Sequence, residues 1–237
     1  MKTERQHRDE IVRYGRMLHD QGYVAATDGN LSVRLQDGTV LSSPTCVSKG
    51  MMEPDDLVIV DMSGRKVRGH RQPSSEIAMH LLIYRMRPDV HGVVHAHPPT
   101  ATGFAAAGLA LDEPLVSEIV ITLGSVPLAP YATPGTPALC DSLSPLIADH
   151  DAILMSNHGV VAYGDDLNEA FMKMETVEHF AKIALVAHTL GKKQILSKAD
   201  VEKLVEARAR YMANAYNKRP AAAAPNEQAT AVGSDPR

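Results

Sequence analysis

Apolar residues in the first seventy positions change from a helical to an alternating spacing. Over residues 3–21 they recur every three or four positions, and Gly22 stands where such a helix should end. From Leu31 onward they alternate with polar residues, and Asp37-Gly38 is typical of a tight turn. The pattern predicts one helix followed by a meander of short antiparallel strands at about 31–35, 39–43, 57–61 and 66–68.

The rest of the chain predicts longer helices around buried strands. Pro73-Ser74-Ser75-Glu76 is typical of a helix start, with Ser74 or Ser75 as the N-cap and Glu76 in the first turn. Helices are predicted at about 73–85, 100–107, 137–148, 167–188 and 197–216. A strand is predicted to end with His95 and His97, and further strands are predicted at about 118–122, 126–129 and 152–155, with 160–163 as the continuation or the partner of the last.

Strands that alternate with flanking helices predict the fold class: α/β, a single three-layer α/β/α domain with a mixed, largely antiparallel central sheet. We expect this domain to span residues 1–217. Residues 218–237 are rich in Ala, Pro, Gly and polar side chains, so we expect a disordered C-terminal tail.

Composition and charge argue against a nucleic-acid-binding, membrane-spanning or disulfide-rich protein. The formal net charge is −4, and no basic run suggests attraction to nucleic acid or to an anionic membrane. The first ten residues are charged and lack the apolar core of a signal peptide, and no apolar run approaches the ~20 residues of a membrane span. Two cysteines, Cys46 and Cys140, are too few for a disulfide framework. We therefore expect a cytoplasmic protein with neither nucleic acid nor membrane as partner.

Two histidines stand two residues apart at the end of an apolar run that is predicted to be a strand. Alternate side chains of a strand share a face, so His95 and His97 project together and could ligate a metal. A third ligand could be His158, in Asn157-His158-Gly159, and a carboxylate ligand or base could be Glu76. The alternative is that these are ordinary polar residues at strand, loop and helix ends. Without thiolates, such a set suits Zn²⁺, with Co²⁺ or Mn²⁺ possible.

The helix start at Ser74-Ser75 is also a candidate anion site. Backbone N–H groups are unpaired there and the helix dipole favours negative charge. Asn30, after a glycine, and Thr45, in a proline-rich loop, offer further neutral donors. The alternative is that Ser74 only caps the helix and Asn30 only forms a turn. His80 lies four residues after Glu76, on the same helix face, so it could support the site from behind.

Six short motifs occur in one order and carry a resemblance to a known family. They are Gly29-Asn30-Leu-Ser, Pro44-Thr45, Pro73-Ser-Ser-Glu76, His95-Ala-His97, Pro130-Tyr-Ala-Thr-Pro-Gly135 and Asn157-His158-Gly159. In this order the chain resembles the class II aldolase/adducin-head superfamily over about residues 8–190, and most closely the L-fuculose-1-phosphate aldolase-like enzymes.

The resemblance implies a metal-dependent lyase that cleaves a carbon–carbon bond of a small, phosphorylated sugar or keto-sugar by a retro-aldol reaction through a Zn²⁺-stabilised enediolate. It also implies a C4 homotetramer with active sites at subunit boundaries. The implied metal ligands are His95, His97, His158 and Glu76, the last also acting as acid/base. The positions that match the family's phosphate site are Asn30, Thr45, Ser74 and Ser75.

Two positions depart from that family. Cys46 stands where the aldolases usually have Gly after Pro-Thr, and its side chain could crowd a phosphate. Ser117-Glu118-Ile119 occupies the region of an expected Tyr proton donor, so Glu118 is the candidate for a second acid/base. A second Tyr of the family could match Tyr211 or Tyr216. A decarboxylase, dehydratase or epimerase acting on a sugar-acid phosphate or an aromatic acid is therefore the alternative. A non-catalytic, adducin-like association module is a further one, although there the metal residues should be lost.

Overall fold

A computed structural model describes residues 2–217 of the chain. Its elements are α1 (Glu4–Asp20), β1 (Asn30–Arg34), β2 (Val40–Ser42), β3 (Val58–Val60), β4 (Lys66–Arg68), α2 (Ile77–Met86), β5 (Gly92–Ala96), α3 (Pro99–Ala106), α4 (Ser117–Thr122), β6 (Leu128–Ala129), α5 (Pro137–Ile147), β7 (Ala152–Met155), β8 (Gly159–Gly164), α6 (Leu167–Thr189) and α7 (Lys198–Asn217). The tail predicted at 218–237 lies outside the described residues. None of the described helices has the length and apolar character needed to cross a bilayer.

Helix boundaries follow from capping side chains. Thr3 accepts a hydrogen bond from the backbone N–H of Gln6, whose side chain accepts one from Thr3 N–H in return, and this capping box starts α1. Asp166 caps α6 by accepting from Glu169 N–H at 2.8 Å. Gly191, just past α6, has φ of +68°, the left-handed conformation that ends many helices. The predicted positions of the long helices are therefore confirmed.

Within residues 2–217, eight strands form one sheet in the order β4-β3-β2-β1-β5-β8-β7-β6. All neighbours are antiparallel except β6 and β7, so the predicted mixed, largely antiparallel sheet is confirmed. Residues 159–164 are the antiparallel partner of β7 rather than its continuation. The register pairs Asn30 of β1 with His95 of β5, and Ala96 of β5 with Val160 of β8. The start of β1, the end of β5 and the start of β8 thus meet at one end of the sheet.

Two hydrophobic cores lie on the two faces of the sheet, as the alternation of strand side chains requires. Val94 joins the core formed with α1, α3, α4 and α6, while its neighbour Val93 joins the core formed with α2 and α5. Helices therefore cover both faces, and the predicted three-layer α/β/α arrangement is confirmed.

The strand predicted at 118–122 is wrong, because this segment forms the short helix α4. Its run of β-branched residues suggested a strand, yet Ile119 and Val120 are buried, and α4 packs against α6 and α7. Contacts with neighbouring helices here outweigh the intrinsic β-propensity of the segment.

The helix start predicted at 73–76 is shifted. Glu76 occupies the N-cap position of α2 without a side-chain cap, so neither Ser74 nor Ser75 is the N-cap and Glu76 precedes the first turn. Pro73 forms an isolated bridge with Pro44. Ser74 Oγ instead accepts from Glu76 N–H at 3.2 Å in the turn before the helix. The bridge keeps residues 73–75 close to the 44–46 loop and out of the helix.

Candidate metal centre

Three imidazole rings converge at the end of the sheet where β5 ends and β8 begins. His95 is the fourth residue of β5, His97 follows that strand, and His158 immediately precedes β8. The Nε2 atoms of His95 and His97 are 3.2 Å apart. One ring nitrogen from each of the three residues lies within 4.8 Å of the other two. Tetrahedral zinc with Zn–N distances of ~2.1 Å separates its ligand nitrogens by about 3.4 Å, so the cluster has the dimensions of a metal site.

Hydrogen bonds on the far side of two rings leave their Nε2 lone pairs facing the cluster. His95 donates from Nδ1 to the backbone carbonyl of Val160 at 2.8 Å. His97 Nδ1 lies 3.3 Å from Oδ2 of Asp28. A proton on Nδ1 requires Nε2 to be the unprotonated nitrogen of the neutral ring, which is the form that binds a metal. Both rings are therefore oriented as ligands.

The carboxylate of Glu76 completes the cluster. Its Oε2 lies 3.3 Å from His95 Nε2, and its Oε1 lies 3.2 Å from His158 Nε2. Oε1 is buried and accepts no hydrogen bond of good geometry from the described residues. A buried carboxylate oxygen without a donor, beside three ring nitrogens, fits a divalent cation. The residues present thus match the donor set that Zn²⁺ takes in proteins.

Burial and mutual attraction set the charges of this cluster. Burial alone would raise the pKa of Glu76, but the imidazoles of His95 and His158 offset it and hold that pKa far below its ordinary value. Burial would lower the pKa of His95, but the Glu76 carboxylate raises it overall. For His97, burial and the two other imidazoles lower the pKa to about 4. Glu76 is therefore ionised and His97 neutral at neutral pH, as ligation requires.

Gly29 allows the β1 loop to approach β5 closely. Its φ of +69° is in the left-handed region, and a methyl group at this position would lie 2.8 Å from the carbonyl oxygen of His95. Gly29 is thus required for two reasons: the turn needs a positive φ at this position, and the nearby backbone of β5 leaves no room for a side chain. It places Asn30 beside Glu76, and Asn30 Nδ2 donates to Glu76 Oε2 at 2.9 Å.

The four residues predicted for phosphate binding come from three neighbouring segments. Thr45 N–H donates to Gln72 O at 3.0 Å, which joins the 44–46 loop to the segment leading into Ser74. Ser74 is buried and Ser75 is exposed. A methyl group on Gly135 would lie 3.2 Å from the Ser75 carbonyl oxygen, so the 130–135 loop lies against the same segment.

Cys46 adopts φ of +57°, a backbone conformation that favours glycine. This conformation explains why a glycine would suit the position. The Cys46 side chain is exposed, and its Sγ lies 3.6 Å from Thr45 Oγ1. The thiol therefore stands next to a predicted phosphate donor, as the sequence suggested.

Two residues near the cluster were missed by sequence reasoning. Asp28 reads as a turn residue, and its contact with His97 follows only from the fold. Lys49 reads as a loop residue, yet it is 1% exposed, and its Nζ donates to the carbonyls of Thr27 at 3.0 Å and Val47 at 2.7 Å. Lys49 thereby ties the loop before Asn30 to the loop that contains Thr45. The sequence neighbours of this lysine, Ser48 and Gly50, give no sign of its burial.

Glu118 is not part of this arrangement of residues. It is exposed on α4, and its backbone carbonyl accepts from Thr122 Oγ1 at 2.7 Å. Its role as a second acid/base stays a prediction. Tyr211 and Tyr216 lie in α7, and their side chains are outside the part of the chain that the structure describes.

Comparison with known proteins identifies the family. The family described as Class II Aldolase and Adducin N-terminal domain matches residues 9–185, about three quarters of the chain. The chain belongs to this family. The predicted resemblance is confirmed.

Relatives of this class II aldolase family member include enzymes with two different reactions. The chain is 35% identical to a 5-deoxy-D-ribulose 1-phosphate aldolase of Bacillus thuringiensis serovar kurstaki, over 84% of this chain and 93% of the relative. It is also 35% identical to a 3-oxo-tetronate 4-phosphate decarboxylase of Escherichia coli, over 78% of this chain and 89% of the relative.

A solved structure agrees with the fold. L-fuculose-1-phosphate aldolase from Thermus thermophilus is similar with a TM-score of 0.70 and 31% identity, covering 77% of this chain and 94% of that one. The chain is thus an enzyme of the class II aldolase superfamily.

Proposed function

We propose that this protein is a metal-dependent lyase that cleaves a carbon–carbon bond of a small, phosphorylated sugar or keto-sugar by a retro-aldol reaction. The observation that carries the proposal is the convergence of three histidine ring nitrogens and the Glu76 carboxylate. The neutral hydrogen-bond donors proposed for phosphate binding lie on neighbouring segments. The aldolase relative, which acts on a sugar phosphate, supports the same reaction.

The proposed metal ligands are His95, His97 and His158, with Glu76 as the fourth. Zn²⁺ is the expected ion, and Co²⁺ or Mn²⁺ would fit the same donors. A divalent metal held there would supply Lewis-acid polarisation of the substrate's carbonyl group.

Neutral donors of the chain would bind the substrate's phosphate. The proposed donors are the side chains of Asn30, Thr45, Ser74 and Ser75, together with backbone N–H groups at the start of α2. Since none of these side chains is charged, orientation of the phosphate rests on hydrogen bonds. Binding there would hold the sugar's carbonyl carbon and its neighbours near Glu76.

Glu76 is the proposed acid/base. In the cleavage direction, Glu118 would remove the proton from the hydroxyl group two carbons from the carbonyl. The carbon–carbon bond then breaks, an aldehyde leaves, and the electron pair of the broken bond stays on the carbon next to the carbonyl. Glu76 would deliver a proton taken up from solvent to that carbon, and Glu118 would return its proton to solvent, so that the protons balance over a cycle. Glu118 is exposed and would face a neighbouring copy in the proposed C4 homotetramer with active sites at subunit boundaries.

Decarboxylation of a 3-oxo sugar-acid phosphate is the second candidate. It also leaves an electron pair on the carbon next to a carbonyl, so the same residues would serve. The decarboxylase relative supports it, with the same identity as the aldolase relative. The absence of a Tyr in the Ser117-Glu118-Ile119 region supports it too, because decarboxylation releases CO₂ and needs no base for a substrate hydroxyl.

The test is to incubate the Zn²⁺-loaded protein with candidate ketose phosphates and 3-oxo-acid phosphates, and to measure aldehyde and CO₂ separately. Release of aldehyde supports the lyase proposal, and release of CO₂ alone favours the decarboxylase. His97→Ala should abolish either activity and lower the zinc content. His179→Ala, on the exposed side of α6, is the matched control. If the protein purifies without bound metal, and if His97→Ala changes no activity, the result would support the non-catalytic association module instead.

A further inference from the structure

Four buried polar side chains lie in a row behind Glu76, between β1 and α2. They are Asn30, Ser32, His80 and Tyr84, each 4% exposed or less. With no access to water, each of their polar groups must find a partner within the protein. The contacts are Tyr84 Oη to Ser32 Oγ at 2.8 Å, Ser32 Oγ to His80 Nδ1 at 2.7 Å, His80 Nε2 to Asn30 Oδ1 at 2.5 Å and Asn30 Nδ2 to Glu76 Oε2 at 2.9 Å.

The charge of Glu76 decides the direction of every bond in this row. An ionised carboxylate only accepts, so Asn30 must turn its amide nitrogen to Glu76 and its oxygen to His80. His80 must then donate from Nε2, which leaves Nδ1 as an acceptor for the Ser32 hydroxyl. With its own proton used in that bond, Ser32 Oγ accepts from the Tyr84 hydroxyl. One consistent arrangement remains, and it requires a neutral His80 with its proton on Nε2.

We propose that His80 is a positioning residue that, through Asn30, fixes the orientation of the Glu76 carboxylate in the metal centre. This inference deepens the proposed function and rests on it. The hydrogen-bond directions in the row place the proton of His80 on Nε2, and from there His80 holds the amide oxygen of Asn30.

The amide of Asn30 is the point at which this control acts. The oxygen and nitrogen ends of an amide have nearly the same size, so packing alone does not decide which of them faces Glu76. The Glu76 carboxylate and the Nε2 proton of His80 decide it together, because the carboxylate accepts from the amide nitrogen and the proton is donated to the amide oxygen. Without the His80 proton, Asn30 loses the donor that holds its oxygen away from the carboxylate. In the flipped orientation, Glu76 Oε2 loses its only donor in this row and faces a partial negative charge. In the present arrangement Asn30 also keeps a second amide proton for a substrate oxygen.

A direct test is the protonation state of His80 in the full chain. Protonated and unprotonated ring nitrogens have widely separated ¹⁵N shifts, so histidine side-chain NMR assigns each ring. We expect His80 to carry its proton on Nε2 at neutral pH, with and without Zn²⁺. With Zn²⁺ bound, His95, whose Nδ1 donates to Val160, should show the opposite form. A His80 ring protonated on Nδ1, or on both nitrogens, would overturn the proposal.

A pair of variants tests the consequence for Glu76. His80→Gln places an amide nitrogen near the Nε2 position and keeps a donor to Asn30. His80→Asn places its amide near the Nδ1 position and keeps only the contact with Ser32. In the Co²⁺-substituted protein, His80→Asn should change the visible absorption spectrum and weaken Co²⁺ binding about 10-fold. His80→Gln should retain the wild-type spectrum.

A buried control separates positioning from stability. Ile83 is fully buried on the same helix and belongs to the core on that face. Ile83→Val should lower the melting temperature without changing the Co²⁺ spectrum. If His80→Asn and His80→Gln behave alike, or if Ile83→Val shifts the spectrum equally, His80 has only a structural role and the proposal fails.

The two readouts also separate this proposal from the proposed function. If the wild-type protein binds no Co²⁺, the metal-dependent function fails, and the positioning of a metal ligand fails with it. If Co²⁺ binds but no substrate is cleaved, the reaction is wrong, while the spectra still decide the role of His80.

Discussion

The backbone of Gly159 lies directly against the ring of His97. A methyl group built on Gly159 would stand 2.4 Å from His97 Cδ2 and 2.6 Å from the carbonyl oxygen of Ala96. Contacts this short cannot exist without displacement of the ring or of β5. The glycine after His158 is therefore required for the positions of two proposed ligands: it begins β8 immediately after His158 and leaves room for His97.

We predict that Gly159→Ala weakens Zn²⁺ binding and lowers the unfolding free energy by about 1–3 kcal/mol. The reason is that the space around Gly159 is already filled, so the added methyl group overpacks it. Isothermal titration with Zn²⁺ and urea denaturation measure the two effects. Gly103→Ala is the control, since a methyl group there meets nothing within 4 Å in the helix α3. It should leave Zn²⁺ binding unchanged and raise stability by up to about 1 kcal/mol. Wild-type Zn²⁺ affinity in Gly159→Ala would contradict the assignment.

Asp28 provides a second prediction, because it holds the far side of the His97 ring. Asp28→Ala should weaken Zn²⁺ binding about 10–100-fold, since His97 loses the partner that keeps its proton on Nδ1. Competition with a chromogenic chelator measures the affinity. Asp149→Ala, an exposed residue in the turn after α5, should leave the affinity unchanged. Equal affinities for the two variants would show that Asp28 does not orient His97.

The convergence of His95 and His97 was predictable because it is a local property of a strand. A spacing of two places both side chains on one face wherever the strand lies. The contacts that orient these rings were not predictable, since Asp28 is 69 positions from His97 and Val160 is 65 positions from His95. Those contacts depend on which strands become neighbours in the sheet.

For the α4 segment, by contrast, the local sequence pattern was clear but predicted the wrong secondary structure. Ile119, Val120 and Ile121 have high β-propensity, yet no strand of the described chain pairs with them. Burial of Ile119 and Val120, with α4 packed against α6 and α7, stabilises a helix instead. The helix start at Glu76 was displaced for a related reason, because the bridge between Pro44 and Pro73 joins segments 29 positions apart.

Cys46 provides a third prediction, about stability. A non-glycine residue in the left-handed region costs about 1 kcal/mol, while glycine adds a similar entropy cost on folding. Cys46→Gly should therefore change the unfolding free energy by less than about 0.5 kcal/mol. Cys140 is half-buried within the helix α5, where glycine relieves no backbone strain. Cys140→Gly should therefore lower the unfolding free energy by about 1–2 kcal/mol. Urea denaturation measures both. An equal loss in the two variants would show that the φ of Cys46 carries no strain.

Lys49 leads to a prediction about pH. Burial lowers the pKa of Lys49 to about 8, from an ordinary value of 10.5. Between these two pH values the unfolded chain binds more protons than the folded chain, so the unfolding free energy rises with pH across this window. Lys49→Met removes that dependence. Relative to the variant, the wild-type protein should gain about 2 kcal/mol of stability between about pH 7.5 and pH 10.

Urea denaturation across this pH range measures the difference between the two proteins, in which the titration of all other groups cancels. Lys192→Met, at an exposed position after α6, is the control and should follow the wild-type pH dependence. If Lys49→Met follows it as well, Lys49 is not titrated as a buried group.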